Sequence, residues 1–116
     1  MFAKDLRYDL LFDIYGALLS ERQSEIFSLY YEDDLSLSEI GEATGLSPQG
    51  VRDAIKKSEA KLLDYENRLH LAEKSARVQT QVEAASRLLE EISGNVGAED
   101  AAKVEKVKAL LSAITG

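Results

Sequence analysis

Apolar residues recur at helical spacing along most of the chain, and this pattern predicts an all-α protein. In residues 5–19 the apolar stripe is expected on Leu6, Leu10, Ile14 and Leu18, at intervals of four residues. The stripe is widened by four further residues, so burial over more than a narrow seam is expected; these are Leu11, Phe12, Tyr15 and Leu19. The sequence contains one proline and few β-branched residues, which leaves little room for a sheet. We therefore expect a series of helices joined by short connections.

A second helix is predicted to begin after Ser20. Ser20 and Gln23 have the spacing of a capping box, in which each side chain bonds the backbone N–H of the other residue. The helix is expected to end at the acidic residues 32–34, because carboxylates at a helix C-terminus oppose the helix dipole. Consecutive acids without the spacing of an EF-hand loop indicate a solvated turn here and not a metal site.

Residues 36–61 have the pattern of a helix-turn-helix. Ser36 and Glu39 form another capping-box pair, and Ala43 is small enough to let a second helix approach closely. Gly45 suits the left-handed residue that ends the first helix of the motif and makes its turn. We therefore predict a helix-turn-helix domain.

The second helix of this motif is predicted to begin at Pro48 with Ser47 as its N-cap, since proline needs no donor at the first helical position. Val51 and Ile55 are expected to face inward, so the other side would carry the residues of a recognition helix. The candidate nucleic-acid-binding residues are Ser47, Gln49, Gly50, Arg52, Asp53, Lys56, Lys57 and Lys61. A structural helical hairpin that binds no nucleic acid has the same periodicity, and this alternative stays open.

The C-terminal part is predicted to be a helical extension. No proline occurs in residues 49–93, so the recognition helix is expected to be long. The apolar phase changes at residues 76–78, which indicates either a shift of the seam or a break between two helices. Residues 93–97 form the clear helix breaker. We therefore expect a helix-turn-helix domain in residues 1–71 and a helical hairpin in residues 72–116.

Each helix of this predicted hairpin has a narrow apolar stripe. The stripes are expected on Val78, Val82, Ala85, Leu89 and Ile92, and on Val104, Val107, Leu111 and Ile114. Short apolar faces of this kind bury little surface by themselves and need a partner. That partner is the N-terminal core, a second protomer or another protein. We expect these helices to pack against those of a second protomer, which predicts a homodimer.

The distribution of charge complicates the prediction of nucleic-acid binding. The chain has 21 acidic and 14 basic residues and a net charge of −7, whereas nucleic-acid binders gain much of their affinity from a basic face. Residues 1–35 have a balance of −5, and residues 48–61 have a local balance of +2. Asp53 repels phosphate and pairs only with base-amine donors such as cytosine N4. These charges favour weak, salt-sensitive binding, binding as a dimer, or a helix-turn-helix that serves another partner.

The residue types that catalysis requires are not arranged in any recognisable pattern, so we do not expect an enzyme or a cofactor. His70 is the only histidine, and without a partner in sequence it indicates a packing or surface residue. No cysteine is present, which excludes disulfides and thiolate metal sites. No signal-peptide pattern opens the chain and no apolar run approaches the ~20 residues of a membrane span, so we expect a cytoplasmic location.

Residues 6–71 resemble the YlxM family of small bacterial helix-turn-helix proteins. The resemblance rests on residues 11–23, 29–40, 47–53, 63–66 and 69–71. The helix-turn-helix part is also similar to the promoter-reading region 4 of bacterial sigma factors. Pro48 and Gly50 depart from the bulkier helix formers expected there, and they would weaken the first turn of the recognition helix.

The resemblance implies a regulatory role in the signal recognition particle pathway, with DNA binding as its mode. The particle's RNA and its GTPases are further partners that the resemblance implies. The alternative is an accessory factor that binds proteins of the particle and no DNA. The acidic first two helices would then offer a surface for a basic protein domain.

Overall fold

The computed structural model describes residues 4–115, and no strand occurs among them. The elements are α1 (Leu6–Tyr15), a 3₁₀ segment (Gly16–Leu18), α2 (Glu21–Tyr31), α3 (Leu37–Thr44), α4 (Pro48–Leu69), α5 (Leu71–Ser93) and α6 (Ala98–Thr115). The predicted all-α fold is confirmed. Since no described strand follows α4, the helix-turn-helix is of the type without a wing. Within residues 4–115, none of the helices combines the length and the hydropathy that a membrane span requires.

The chain separates into two compact units, Met1–Ala72 and Glu73–Gly116. In the first unit, α1, α2 and α3 all pack on the long α4. Phe27, Ile40 and Ile55 have no exposed surface and lie at the centre of its core. The ring of Phe27 stacks on the ring of Tyr31 with 4.4 Å between the centroids, which joins the core to the end of α2.

The predicted burial of α1 is confirmed for residues that widen its stripe and is wrong for the leucines on which the stripe was centred. Leu6, Leu10 and Leu18 are 78%, 54% and 55% exposed, whereas Leu11 and Tyr15 are buried. Two overlapping apolar stripes fit the spacing of this segment, and only the contact with α4 decides which of them faces the core. The helix also ends at Tyr15 and continues as the 3₁₀ segment, which alters the phase of the last residues.

The α4–α5 junction is a sharp break at His70. This residue has φ +55°, in the left-handed region, and α5 then runs without interruption through residues 76–78. The change of apolar phase there is therefore a shift of the seam. The backbone N–H of Leu71 donates to the hydroxyl oxygen of Tyr15 at 3.0 Å, and that of Ala72 donates to the Glu66 carboxylate at 3.0 Å. These two bonds satisfy donors that a helix start would otherwise leave unpaired.

The second unit consists of α6 and most of α5. Lys108 on α6 pairs with Glu90 on α5 and with Glu105 at 3.1 Å, and these carboxylates raise the pKa of Lys108. Val104 is the one buried side chain in residues 73–115. Of the other residues in the predicted stripe of α6, Val107 and Ile114 are 42% and 60% exposed. Lys108 joins α6 to α5 through its ion pair with Glu90.

Candidate nucleic-acid interface

The turn of the helix-turn-helix is built by local caps. Ser36 and Glu39 form the predicted capping box, and the hydrogen bond from the Ser36 backbone N–H lowers the pKa of Glu39. Gly45 ends α3 with φ +79°, in the left-handed region. The Ser47 hydroxyl oxygen accepts the Gly50 N–H at 3.0 Å and caps α4. These predictions are confirmed, and the first turn of α4 forms despite its proline and glycine.

The close approach of α3 to the start of α4 occurs at Gly41. A Cβ placed on Gly41 would lie 2.5 Å from the carbonyl oxygen of Leu46, a separation that backbone atoms do not tolerate. The prediction that Ala43 is the small residue at this contact is wrong, since Ala43 is exposed. The cause is helical phase, because the buried Ile40 is adjacent to Gly41 on the inner face of α3.

Helix α4 has a buried inner face and an exposed outer face. Val51, Ile55 and Leu62 have no exposed surface, as predicted for the first two. Of the candidate nucleic-acid-binding residues, Gly50 is half-buried and the others are exposed. The exposed ones are Ser47, Gln49, Arg52, Asp53, Lys56, Lys57 and Lys61. The structure therefore brings all eight candidates together within four turns of one helix.

Ser47 and Gly50 belong to the cap of α4. The oxygen of Ser47 is engaged by the Gly50 N–H, which leaves the Ser47 hydroxyl hydrogen as the group available to a ligand. Gly50 has no side chain to offer, and its backbone donor is used by the cap. These two residues position the first turn of α4 and expose the backbone around it.

Gln49 and Asp53 interact at the centre of the outer face. The Gln49 side-chain amide donates to Asp53 Oδ1 at 3.0 Å. The bond holds the carboxylate over the first turn of α4, where an approaching phosphate would be repelled. A base-amine donor could replace the Gln49 amide on Asp53 and free Gln49 to contact an adjacent base.

The basic residues of α4 lie on the two flanks of this pair. Arg52 and Lys56 are four residues apart on one flank, and Lys57 and Lys61 are four residues apart on the other. Lys61 also donates to the Gln23 side chain at 3.3 Å, which brings the first turn of α2 beside the second flank. The arrangement suits phosphate contacts by the three lysines on either side of a groove, with Arg52 nearer to its base edges.

Glu59 lies beneath the outer face of α4 and pairs with one of these cations, Lys56. Its side chain is buried, and Glu59 Oε2 accepts the Tyr31 hydroxyl at 2.6 Å while Oε1 lies 3.5 Å from the Lys56 ammonium. Burial, together with this hydrogen bond, raises the pKa of Tyr31. Glu59 therefore offsets the charge of Lys56 from within the core, and the +2 balance of residues 48–61 still describes this face.

Arg22 adds a basic residue that the sequence did not single out. Its guanidinium on α2 donates to the backbone carbonyl of Thr44 at the end of α3, immediately before the turn. Arg22 lies in the acidic N-terminal third of the chain, 22 positions from Thr44. No local sequence signal connects the two, and only the packing of α2 beside α3 shows the contact.

Comparison with known proteins agrees with this architecture. A family model described as "Putative helix-turn-helix protein, YlxM / p13 like" matches residues 2–108. The chain belongs to this family, UPF0122. The resemblance to the YlxM family inferred from residues 6–71 is thereby confirmed. In residues 4–115 the His, Asp and Glu side chains form no group that could hold a metal ion.

Several relatives in the UPF0122 family align with much of the chain. A UPF0122 protein of Symbiobacterium thermophilum is 42% identical over 108 residues, which cover 92% of this chain and 94% of the relative. One from Bacillus mycoides is 45% identical over 91 residues, covering 78% and 83%. One from Clostridium botulinum is 47% identical over 68 residues, covering 59% and 62%, so the matched region is less than two thirds of that relative.

Proposed function

We propose that this UPF0122 protein is a cytoplasmic regulatory protein that binds nucleic acid through α4, with duplex DNA as its ligand. The observation that carries the proposal is the outer face of α4, where four cations flank the Gln49–Asp53 pair while Glu59 faces inward. A helix diameter of about 10–12 Å fits the major groove of B-form DNA, which is about 12 Å wide.

The first two turns of α4 are the part that would enter the groove. Gln49 and Arg52 would meet base edges. The amide donor and acceptor of Gln49 suit an adenine edge, and the paired donors of Arg52 suit a guanine edge. Lys56, Lys57 and Lys61 lie further along the helix and would contact backbone phosphates. Because α4 has 22 residues and rises about 1.5 Å per residue, it is long enough to leave the groove and reach the backbone.

The test is binding to labelled duplex DNA over about 50–200 mM salt, the range in which phosphate contacts weaken measurably. The Arg52→Ala/Lys56→Ala double variant is expected to lose at least tenfold in affinity and to show a shallower salt slope. Lys74→Ala/Arg87→Ala removes two exposed cations from α5 and serves as the matched control, with affinity unchanged. Equal losses of affinity in both variants, or no loss in the first, would refute DNA binding through α4.

The signal recognition particle pathway is the setting that we propose, on the ground of the resemblance to the YlxM family. The particle's RNA is therefore titrated beside duplex DNA under the same salt conditions. Tighter binding to the RNA than to duplex DNA would show that the ligand is the RNA of the particle. We also propose that the protein acts as a homodimer, since two copies would double the phosphate contacts of a chain whose net charge is −7.

A second candidate function is that of a protein-binding accessory factor of the particle or its GTPases. It is favoured by an apolar cleft of about 320 Å³ in the first unit, lined by Leu10, Leu11 and Leu63 with Tyr8 beside them. Leu10 and Leu63 are 54% and 44% exposed, so the cleft has apolar surface to offer. The surrounding N-terminal segment has a balance of −5, which complements a basic partner.

The cleft is tested with purified particle components. Leu63→Glu is expected to abolish retention of the GTPases on the immobilised protein, and Leu18→Glu, at an exposed leucine away from the cleft, is the control. Retention that is absent in the wild type at low salt, or unchanged by Leu63→Glu, would refute this candidate.

A further inference from the structure

The α5–α6 hairpin exposes a set of large apolar side chains. Leu88 and Ile92 on α5 are 63% and 48% exposed, and Leu110 on α6 is 67% exposed. Val107 and Ile114 are exposed as well; they lie three residues before and four residues after Leu110, which is the spacing of one helical stripe. We call these five residues the hairpin face.

The five residues lie on one side of the hairpin. Glu90 and Lys108 pair with each other, so they mark the side on which α5 and α6 present their polar residues. Successive helical residues are rotated by about 100°, which turns Leu88 and Ile92 away from Glu90 by about 160°. The same rotation turns Leu110 away from Lys108. A cleft on the polar side is lined by residues of both helices, including Gln79, Glu83 and Ser112. The hairpin face is therefore the opposite side.

The hairpin face is not used to build a core within its own unit. Val104 is the one buried side chain in residues 73–115. Helices of 18 to 23 residues without a packed interior are marginal in water, because most helical stability in proteins comes from packing an apolar face. The hairpin therefore leaves an apolar face that a partner can cover.

The charges beside the hairpin face complement one another. Glu91 borders it on α5, and Lys103 and Lys106 border it on α6. The pair formed by Glu90 and Lys108 fixes the two helices as antiparallel neighbours, which places Glu91 and Lys106 at nearly the same height along the hairpin. One edge of the face is therefore acidic and the other basic, and a second copy of the same face supplies both complements.

We propose that the hairpin face binds the hairpin face of a second copy, with the two-fold axis parallel to α5 and α6. This axis lays α5 of one copy over α6 of the other, keeps each residue at its own height, and brings Glu91 of each copy beside Lys106 of the other. The alternative axis, perpendicular to the helices, would set Glu91 against Glu91 and is opposed by like charge. The inference rests on the homodimer of the proposed function and gives that dimer its surface and its symmetry.

The dimer is expected to be weak. Two helices side by side present a face about 20 Å wide, and the apolar positions extend about 10 Å along the axes. The apolar area of this face is about 200 Å², which is less than the ~800 Å² per partner of a standard interface. We therefore expect dissociation constants in the micromolar range and a mass that rises with protein concentration.

The experiment is sedimentation velocity of the full chain without nucleic acid, from about 1 to about 200 μM, a range that brackets the expected micromolar constant. The wild type is expected to change from monomer to dimer, and Leu110→Glu is expected to stay monomeric at every concentration. Leu18→Glu, at a comparably exposed leucine of the first unit, is the matched control and should dimerise as the wild type does. A wild type that stays monomeric, or a dimer that survives Leu110→Glu, would overturn the proposal.

Charge reversal tests the symmetry and does not depend on the folding of Leu110→Glu. Glu91→Lys alone and Lys106→Glu alone are each expected to weaken dimerisation at least fivefold, and the double variant to restore it. Failure of the double variant to recover would overturn the parallel axis. Because nothing in these measurements involves nucleic acid, loss of DNA binding in a protein that dimerises would refute the proposed function and leave this interface standing.

Discussion

Gly41 offers the sharpest test of how the helix-turn-helix is packed. Replacing it by alanine adds a Cβ 2.5 Å from the carbonyl oxygen of Leu46, which belongs to the backbone of the turn and cannot rotate away. Overpacking of this kind costs about 1–3 kcal/mol. The substitution also gains up to about 1 kcal/mol of helix propensity. We therefore expect Gly41→Ala to lower the free energy of unfolding by about 1–2 kcal/mol.

Gly50→Ala is the matched control on the other helix of the motif. Its Cβ would meet the Ser47 Oγ at 3.2 Å and the Leu46 Cβ at 3.7 Å, and both are side-chain atoms. A shift of a few tenths of an ångström in the Ser47 side chain accommodates it. The same gain in propensity then acts with little opposing strain, so we expect stability to stay the same or to rise by up to about 1 kcal/mol.

Tyrosine fluorescence during urea denaturation measures both variants. All five tyrosines lie in the first unit, and the chain has no tryptophan, so the signal reports the helix-turn-helix unit alone. For a unit of this size, 1 kcal/mol corresponds to about 4–8 °C in Tm, which gives a second readout. If Gly41→Ala is as stable as the wild type, or if Gly50→Ala is the more damaging change, the close α3–turn contact at Gly41 does not limit the packing.

Two further predictions concern buried and capping carboxylates. Tyr31→Phe removes the donor to the buried Glu59 carboxylate, and we expect a loss of about 1–3 kcal/mol in urea denaturation, with Tyr8→Phe as a control that should change little. Glu39 has a lowered pKa in the folded protein because its carboxylate accepts the Ser36 N–H. The ionised carboxylate therefore stabilises the folded state above the unfolded pKa of about 4.3, and this stabilisation is lost as the pH falls through the folded pKa. The urea midpoint should therefore fall more steeply below about pH 4 in the wild type than in Glu39→Gln, and parallel pH profiles would contradict the assigned role of the cap.

The sequence predicted which residues form the candidate site, but it did not predict how their side chains are arranged. The eight residues from Ser47 to Lys61 were found because a helical period brings them to one side of α4, which is a property of the sequence. The direction of Glu59 was not predictable, since it depends on the hydroxyl of Tyr31, 28 positions away. The same limit applies to Arg22, whose partner is a backbone carbonyl on another helix.

The sequence by itself determined the features that depend on neighbours within a few residues. Ser20 and Ser36 cap their helices, and Gly45 adopts a left-handed conformation, because each satisfies backbone donors or sterics three or four positions away. The all-α class follows from the same local periodicity.

The tertiary structure decided which of two equally spaced stripes is buried, because burial is settled by the surface of another helix. Leu11 faces the core and Leu10 faces solvent, although their sequence surroundings are alike. The break at His70 is held in the same way, by Tyr15 and Glu66, which supply hydrogen-bond acceptors to the first residues of α5. Tyr15 is 56 positions from Leu71, and the two become neighbours only when the chain has folded.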